Sequence, residues 1–166
     1  MRKLCTILLI ITFGLSTALW GQKLNSKNFP EELRTIDGHV HTTEALNQGT
    51  LVLNFWFVAC YPCLKEIPDL ERLTKHINPT DPAKFIAISP FDDVGQLSYF
   101  KSRRDFGFDL VANRTFADHL DITTYPTTIV FQNGKQVYRS EGYNINLYEE
   151  VVDFLADHRI TITHPR

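Results

Sequence analysis

The chain has 166 residues, of which 43% are hydrophobic and 22% charged, the profile of a globular protein with room for one ordinary domain. Its 17 basic and 19 acidic residues give a formal net charge of −2. Basic residues cluster no further than the pair Arg103–Arg104, so the electrostatic footprint of a nucleic-acid-binding protein is missing. Composition therefore excludes a disordered, collagen-like or nucleic-acid-binding chain.

The start of the chain has the three-part pattern of a secretory signal peptide. Positive charge at the beginning is followed by an almost wholly apolar run over residues 4–15 and then by small residues. The run falls short of the roughly 20 apolar residues that a membrane-spanning helix needs. We therefore interpret residues 1–21 as a signal peptide cleaved after Ala18 or Gly21, with retention as an anchor as the alternative. The protein is expected in the periplasm or at the outer face of the cell envelope.

Three cysteines occur, at positions 5, 60 and 63. Cys5 lies within the predicted signal peptide, so the exported protein keeps only the pair Cys60 and Cys63, in a compartment that permits disulfides. A disulfide that closes so short a loop adds little stability, because the entropic benefit of a crosslink grows with the loop that it closes. The pair is therefore expected to be reactive rather than structural.

After a polar lead-in over residues 22–32, one domain is predicted over residues 33–158 and a C-terminal tail over 159–166. The predicted elements are, in chain order, a β-hairpin around the Asp-Gly turn at 37–38, a strand over 51–58 buried on both faces, an amphipathic helix from residue 64 kinked at Pro68, a strand over 85–89, a capped helix opening at Asp93, a strand over 108–112, a helical turn over 116–120, a hairpin over 127–139 and a final helix after Asn146. This order predicts an α/β fold with a mixed central sheet flanked by helices on both faces.

The segment Cys60–Cys63, of sequence Cys-Tyr-Pro-Cys, falls where the central strand ends and the amphipathic helix begins. A thiol at a helix N-terminus faces unpaired N–H groups and the positive end of the helix dipole, which lower its pKa. Cys60 is then expected to attack a substrate disulfide, and Cys63 to resolve the mixed disulfide. Half a zinc site and a static disulfide are the alternatives. Zinc needs a second pair of ligands, and nothing ties His39 and His41 to this segment, so we expect no metal.

Two stretches of the sequence resemble the TlpA/ResA-like branch of the thioredoxin superfamily. The first is the segment 54–68, which contains the Cys-Tyr-Pro-Cys motif, and the second is the Pro-Thr-Thr strand that begins at Pro126, with Asn-Gly-Lys at 133–135. The resemblance extends over roughly residues 29–158. It implies a thioredoxin-like fold with an N-terminal β-hairpin and a central βα insertion, and a cis proline at position 126 that faces the two cysteines.

The resemblance also implies the activity and the site. The protein is expected to be a thiol-disulfide oxidoreductase that reduces disulfides of envelope proteins, as in cytochrome c maturation, with an upstream membrane electron donor. We expect a monomer with no cofactor besides the redox-active pair, in which the backbone of Tyr125 pairs with the substrate. The predicted catalytic residues are Cys60, Cys63 and Glu66, and the predicted substrate-binding residues are Tyr61, Pro62, Tyr125, Pro126 and Trp56.

Two positions depart from the pattern of most thioredoxins, which carry a buried Asp six residues before the first cysteine and a Trp directly before it. Here these positions are Asn54 and Ala59. Because Asn54 cannot relay protons, Glu66 is the candidate for assisting thiol deprotonation, since it lies three residues after Cys63 on the same helical face. The alternative is that Glu66 belongs to the solvated face of the helix.

Three other functions compete with disulfide reduction. The first is a disulfide oxidase or isomerase of the same fold. The second is a peroxiredoxin-type peroxidase, but its Pro-x-x-x-Thr-x-x-Cys pattern would need Pro and Thr where Leu53 and Phe57 stand. The third is a copper-delivery protein of the Sco type, in which three residues, rather than two, separate the cysteines. The spacing between Cys60 and Cys63 therefore argues against copper delivery.

Overall fold

The computed structural model describes residues 30–76, 84–104 and 106–157. Over these ranges the chain forms β1 (Glu32–Arg34), β2 (Val40–Thr42), α1 (Thr43–Leu46), β3 (Thr50–Phe55), α2 (Tyr61–His76), β4 (Lys84–Ser89), α3 (Val94–Ser102), β5 (Asp109–Ala112), α4 (Arg114–His119), β6 (Thr127–Gln132), β7 (Lys135–Glu141) and α5 (Leu147–Asp157). The predicted signal peptide, nearly all of the lead-in and the C-terminal tail lie outside the described residues.

A five-stranded mixed sheet in the order β5-β4-β3-β6-β7 forms the centre of the domain. Strands β3, β4 and β5 run parallel, whereas β6 pairs antiparallel with both β3 and β7. All six residues of β3 are buried, as expected for a central strand covered on both faces. The unit β5–α4 lies between α3 and β6, the position of a central βα insertion, and its strand forms one edge of the sheet.

Two hydrophobic cores lie on opposite faces of this sheet because side chains alternate along each strand. Leu51, Leu53 and Phe55 of β3 enter the core that is covered by α1 and α4. Val52 and Trp56 enter the other core, which is covered by α2, α3 and α5 and also contains both cysteines. The predicted arrangement, a mixed sheet with helices on both faces, is confirmed.

The predicted N-terminal hairpin is formed by β1 and β2, which pair as a separate two-stranded sheet. Its turn contains Gly38, whose φ of 86° is a conformation that favours glycine. The hairpin docks beside β5, where the Ile36 N–H donates to the Leu110 carbonyl over 2.8 Å. Nε2 of His41 lies 2.6 Å from Oδ2 of Asp109, so this histidine anchors the hairpin to the sheet edge.

Helix boundaries differ from the predicted ones where local pattern is weak. Helix α2 begins at Tyr61, earlier than its apolar periodicity indicates, and continues through Pro68. The predicted capping box at the start of α3 is confirmed, with Asp93 and Gln96 exchanging both hydrogen bonds. Helix α1, which spans only four residues, was not predicted. Among the described residues, no helix has the length and apolarity needed to cross a membrane.

Candidate active site

The two cysteines lie at the junction of β3 and α2, as predicted, and are joined by a disulfide with a Cα–Cα distance of 5.2 Å. Cys60 directly precedes α2, and its carbonyl accepts a hydrogen bond from the Leu64 N–H over 3.0 Å. The Cys63 N–H donates to Sγ of Cys60 over 3.2 Å. The Cys60 sulfur therefore takes the place of an N-capping side chain, where helix N–H groups and the helix dipole favour a thiolate.

The loop that leads into Cys60 is braced by the neighbouring strand. Oδ2 of Asp92 accepts hydrogen bonds from the Val58 N–H and from the Ser89 hydroxyl, each over 2.7 Å. The Cys60 N–H in turn donates to the Phe57 carbonyl over 3.0 Å. Sequence reasoning missed Ser89 and Asp92. The available signal was their place at the end of β4 and directly after it, since the carboxyl ends of adjacent parallel strands meet at one edge of the sheet.

Glu66 lies inside the protein, one turn after Cys63 on α2. Its side chain is 2% exposed, and Oε1 accepts a hydrogen bond of 2.8 Å from the backbone N–H of Asn144 in the β7–α5 loop. Burial raises the pKa of Glu66 to about 7, the Asn144 hydrogen bond lowers this pKa, and the charge of Asp69 raises it. The alternative in which Glu66 belongs to the solvated face of α2 is therefore wrong.

The loop before β6 brings a second part of the chain to the cysteines. The Tyr125–Pro126 peptide bond is cis, as the resemblance implies, and the Tyr125 side chain packs against the core cluster that contains Cys60 and Cys63. The Pro126 carbonyl accepts a hydrogen bond of 2.7 Å from the Gly142 N–H. By contrast, the backbone N–H and C=O of Tyr125 have no hydrogen-bond partner within the described part of the chain. This peptide group is therefore available to an incoming segment.

Aromatic side chains lie in the loop before Cys60 and between the two cysteines. Phe57, Phe91 and Tyr125 form a three-ring group, called here the aromatic cluster, with centroid distances of 5.2 to 5.6 Å. Tyr61 is 68% exposed at the start of α2. Nζ of Lys65 lies 4.7 Å from the Tyr61 ring centroid. Pro62, beside Tyr61, is exposed as well, so both residues between the cysteines face solvent.

Trp56 and Asn54, two residues of the segment before the cysteines, are buried in the protein interior. Trp56 is 2% exposed and packs against Phe100 and Phe106, with centroid distances of 4.9 and 6.0 Å. Its prediction as a substrate-binding residue is wrong, because the alternation along β3 directs its ring into the core beneath the cysteines. Asn54 donates from Nδ2 to Oγ1 of Thr128 over 3.0 Å, a bond that links β3 to β6.

These features together define a thioredoxin-like fold with a paired-cysteine site: a mixed sheet, a helix-capping cysteine joined to a second cysteine, and an adjacent cis-proline loop. The chain belongs to the AhpC/TSA family, whose model matches residues 23–140. It is 27% identical over 103 residues to the thioredoxin-like protein YneN of Bacillus subtilis (strain 168). That match spans 59% of this chain and 59% of the length of YneN.

Solved structures confirm the fold. A secreted Mycobacterium tuberculosis disulfide oxidoreductase homologous to E. coli DsbE is 21% identical, with a TM-score of 0.61 over 78% of this chain and 96% of that one. The exposed lipoprotein thioredoxin Etrx1 of Streptococcus pneumoniae is 16% identical, with a TM-score of 0.64 over 76% and 97%. A cysteine-to-serine mutant of Xanthomonas campestris peroxiredoxin Q is 20% identical, with a TM-score of 0.69 over 82% and 96%.

The raised pKa of Glu66 predicts a pH-dependent stability. In the unfolded chain this carboxyl ionises near 4.5, whereas in the folded protein it keeps its proton until about pH 7. Between these values the folded state binds more protons, so the free energy of unfolding falls as the pH rises. The stability of wild type relative to Glu66→Gln should therefore decrease by on the order of 2 kcal/mol from pH 5 to pH 8.

Urea unfolding of the oxidised proteins at both pH values measures this difference, because the disulfide-bonded cysteines do not titrate. Glu71→Gln, the same substitution further along α2, serves as the control for loss of a charge from this helix. A relative stability of Glu66→Gln that is the same at pH 5 and pH 8 would contradict the raised pKa.

Proposed function

We propose that the protein is an exported disulfide reductase that acts as a monomer on disulfides of cell-envelope proteins. The observation that carries this proposal is the Cys60 sulfur, which accepts the Cys63 N–H at the start of α2. It lies in one core cluster with Tyr125, whose peptide group is unpaired within the described residues. A low-pKa thiolate beside a free peptide group is what attack on a disulfide in an extended segment needs.

The reaction transfers two electrons from the dithiol to the substrate. The Cys60 thiolate attacks one sulfur of the substrate disulfide, which forms a mixed disulfide and releases the other substrate sulfur as a thiolate. Cys63 then loses its proton and attacks Sγ of Cys60. This second step forms the Cys60–Cys63 disulfide and releases the first substrate sulfur. A dithiol donor in the membrane returns the pair to the reduced state.

Glu66 is the proposed acceptor of the Cys63 proton. Side chains three residues apart on a helix are neighbours, with Cβ atoms about 5–6 Å apart. A carboxyl group with a pKa of about 7 can both accept and return a proton at neutral pH, and its burial keeps solvent from replacing it. The Cys63 proton would pass through Glu66 to the departing substrate thiolate.

Substrate binding is proposed to occur by strand addition at Tyr125, with contacts to Tyr61, Pro62 and Pro126. Extended segments bind by main-chain hydrogen bonds to unpaired backbone groups. Tyr61 and Pro62 are exposed beside the disulfide, whereas Pro126 is buried and contributes the shape of the loop. Apocytochrome c is one protein that would present such a segment, because its haem-binding cysteines lie close together in the chain.

Support for export comes from the signal-peptide pattern in residues 1–21 and from the secreted and surface-exposed relatives of the same fold. The direction of electron flow depends on the reduction potential of the Cys60–Cys63 pair. The reduction potential of a reductase should be closer to that of thioredoxin, about −270 mV, than to that of the oxidant DsbA, about −120 mV. Equilibration with dithiothreitol buffers measures this potential, and a value at the oxidising end would favour the oxidase.

Peroxide reduction is the second candidate, because the chain belongs to the AhpC/TSA family and shares its fold with peroxiredoxin Q. The residues around Cys60 argue against it. Phe57, at the position of the peroxiredoxin threonine, carries no hydroxyl and packs in the aromatic cluster. Leu53 is fully buried in the core on the opposite face of the sheet. Hydrogen peroxide should therefore oxidise the reduced protein no faster than it oxidises dithiothreitol, and rapid turnover of peroxide would favour the peroxidase.

Substitution of either cysteine should affect disulfide reduction in a different way. Cys60→Ser should lower dithiothreitol-driven insulin reduction to the uncatalysed rate, because it removes the attacking sulfur. Cys63→Ser should instead accumulate a covalent adduct with the substrate, because nothing resolves the mixed disulfide. Non-reducing gels and mass spectrometry detect this adduct, which the double variant cannot form. Insulin reduction that survives in Cys60→Ser would contradict the mechanism.

Removal of the Glu66 carboxyl should slow the resolving step. Glu66→Gln should slow the attack of Cys63 on a Cys60 mixed disulfide by about 100-fold at pH 8 and remove the rise in rate near pH 7, because a general base contributes roughly 10²–10⁴-fold. Trp56 packs in the same core cluster as both cysteines, so its fluorescence can follow the reaction in stopped flow. Glu71→Gln is the matched control. An unchanged pH profile in Glu66→Gln would show that the carboxyl plays no part in proton transfer.

A further inference from the structure

The aromatic cluster contains an exposed ring, that of Phe91, which is held in place by contacts with the two other rings. Phe91 is 51% exposed although its ring contacts both Phe57 and Tyr125, with centroid distances of 5.2 and 5.4 Å. The three residues come from three different loops, those after β3 and β4 and the one before β6. A large apolar side chain that stays exposed beside a reactive group indicates a contact surface for another molecule.

The support for Phe91 comes from the same brace that holds the loop before Cys60. The Phe91 N–H donates to Oγ of Ser89 over 3.4 Å, and the next residue, Asp92, binds both the Ser89 hydroxyl and the Val58 N–H. Phe91 is thus fixed relative to Phe57, whose carbonyl accepts the Cys60 N–H. The ring surface is preorganised with respect to the attacking sulfur, which reduces the entropy cost of binding.

Two kinds of polar group border the aromatic cluster. The peptide N–H and C=O of Tyr125 are unpaired within the described residues and can hydrogen-bond to an extended backbone. The guanidinium of Arg114 lies 5.4 Å from the Phe91 ring centroid. Arg114 is exposed and forms no ion pair with any carboxylate in residues 30–76, 84–104 or 106–157. The border therefore offers backbone pairing and the guanidinium of Arg114, while the charge of Asp118, one turn further along α4, also acts on the Tyr125 hydroxyl.

We propose that the aromatic cluster is the specificity subsite for an extended segment of the substrate protein. This segment carries an apolar side chain two positions from its disulfide cysteine and an acidic side chain within reach of Arg114. In an extended chain, residues two apart point to the same side, so a cysteine facing Cys60 directs the apolar side chain toward the cluster. The inference rests on the proposed function and names its substrate class.

Capture of peptides by Cys63→Ser tests this subsite. The parent peptide has one cysteine, which is joined to thionitrobenzoate by a disulfide. A leucine stands two positions away on each side of this cysteine, and an aspartate lies beyond the leucine. The Cys60 thiolate attacks the peptide sulfur, forms a mixed disulfide and releases thionitrobenzoate, whose absorbance gives the rate. Replacing both leucines by asparagine should lower capture efficiency roughly tenfold, because the polar side chain removes the apolar surface that the aromatic cluster would bury. Replacing aspartate by asparagine should lower it about two- to threefold.

The chain offers a matched control for each subsite variant. Tyr99 on α3 is another exposed ring with an arginine, Arg103, 5.1 Å from its centroid, and it makes no ring contact with the aromatic cluster. In the Cys63→Ser background, Phe91→Ala should abolish the preference for leucine, and Tyr99→Ala should keep it. Arg114→Ala should abolish the preference for aspartate, and Arg103→Ala should keep it. Rates with Ellman's reagent alone correct each variant for changes in Cys60 reactivity.

The outcomes separate this inference from the proposed function. Equal capture of the leucine and asparagine peptides, or a leucine preference that survives in Phe91→Ala, would overturn the subsite while leaving disulfide reduction intact. An aspartate preference that survives in Arg114→Ala would overturn the role of the charge. Failure to capture any peptide, or to react with Ellman's reagent, would contradict a nucleophilic Cys60 and the subsite with it.

Discussion

The hydrogen bond from the Cys63 N–H to the Cys60 sulfur is the interaction on which the site depends. It requires that α2 begin immediately after Cys60, so β3 must end, and the chain must turn, within a few residues of that cysteine. Asp92 meets this requirement by binding the Val58 N–H from the neighbouring loop. The sheet order places β4 and β6 on either side of β3, so their loops reach the same edge. The sulfur, the brace and the cis-proline loop are therefore consequences of one topology.

The buried carboxyl group near the cysteines lies on helix α2 and not on strand β3. Position 54 holds an amide that is occupied by a hydrogen bond to Thr128, so the interior beneath Cys63 contains no acid on β3. The acid lies instead on α2 at Glu66, where the Asn144 N–H is the polar partner that offsets part of its desolvation. Desolvation outweighs this hydrogen bond and, with the charge of Asp69, raises the pKa of Glu66 to about 7. In the proposed mechanism the proton acceptor therefore lies on the helix rather than on the strand, three residues after the second cysteine.

The parts of the fold that sequence could predict are those encoded by neighbouring residues. The apolar run of β3 and the Asp93–Gln96 capping box are local signals, and both elements are present, although β3 ends at Phe55 rather than at residue 58. The sequence around Glu66 does not indicate its burial, because Lys65 directly precedes it on α2 and its hydrogen-bond partner Asn144 lies in the distant β7–α5 loop. Trp56 shows the same limit, since its motif position indicated a role at the surface while the strand period directs it inward. Contacts between distant segments decided both cases.

Membership in the family does not determine which reaction the protein catalyses, and Phe57 is the residue that bears on this choice. The chain belongs to the AhpC/TSA family and shares its fold with peroxiredoxin Q, and a fold alone does not distinguish a peroxide from a disulfide substrate. A peroxide needs a hydrogen-bond donor close to the sulfur to stabilise the departing oxygen. A disulfide needs room for a polypeptide and a leaving sulfur that is stable as a thiolate. A phenylalanine that packs with Phe91 and Tyr125 removes the donor and extends an apolar surface from Cys60 to the cis-proline loop. The same residue therefore disfavours peroxide reduction and belongs to the contact surface proposed for a disulfide substrate.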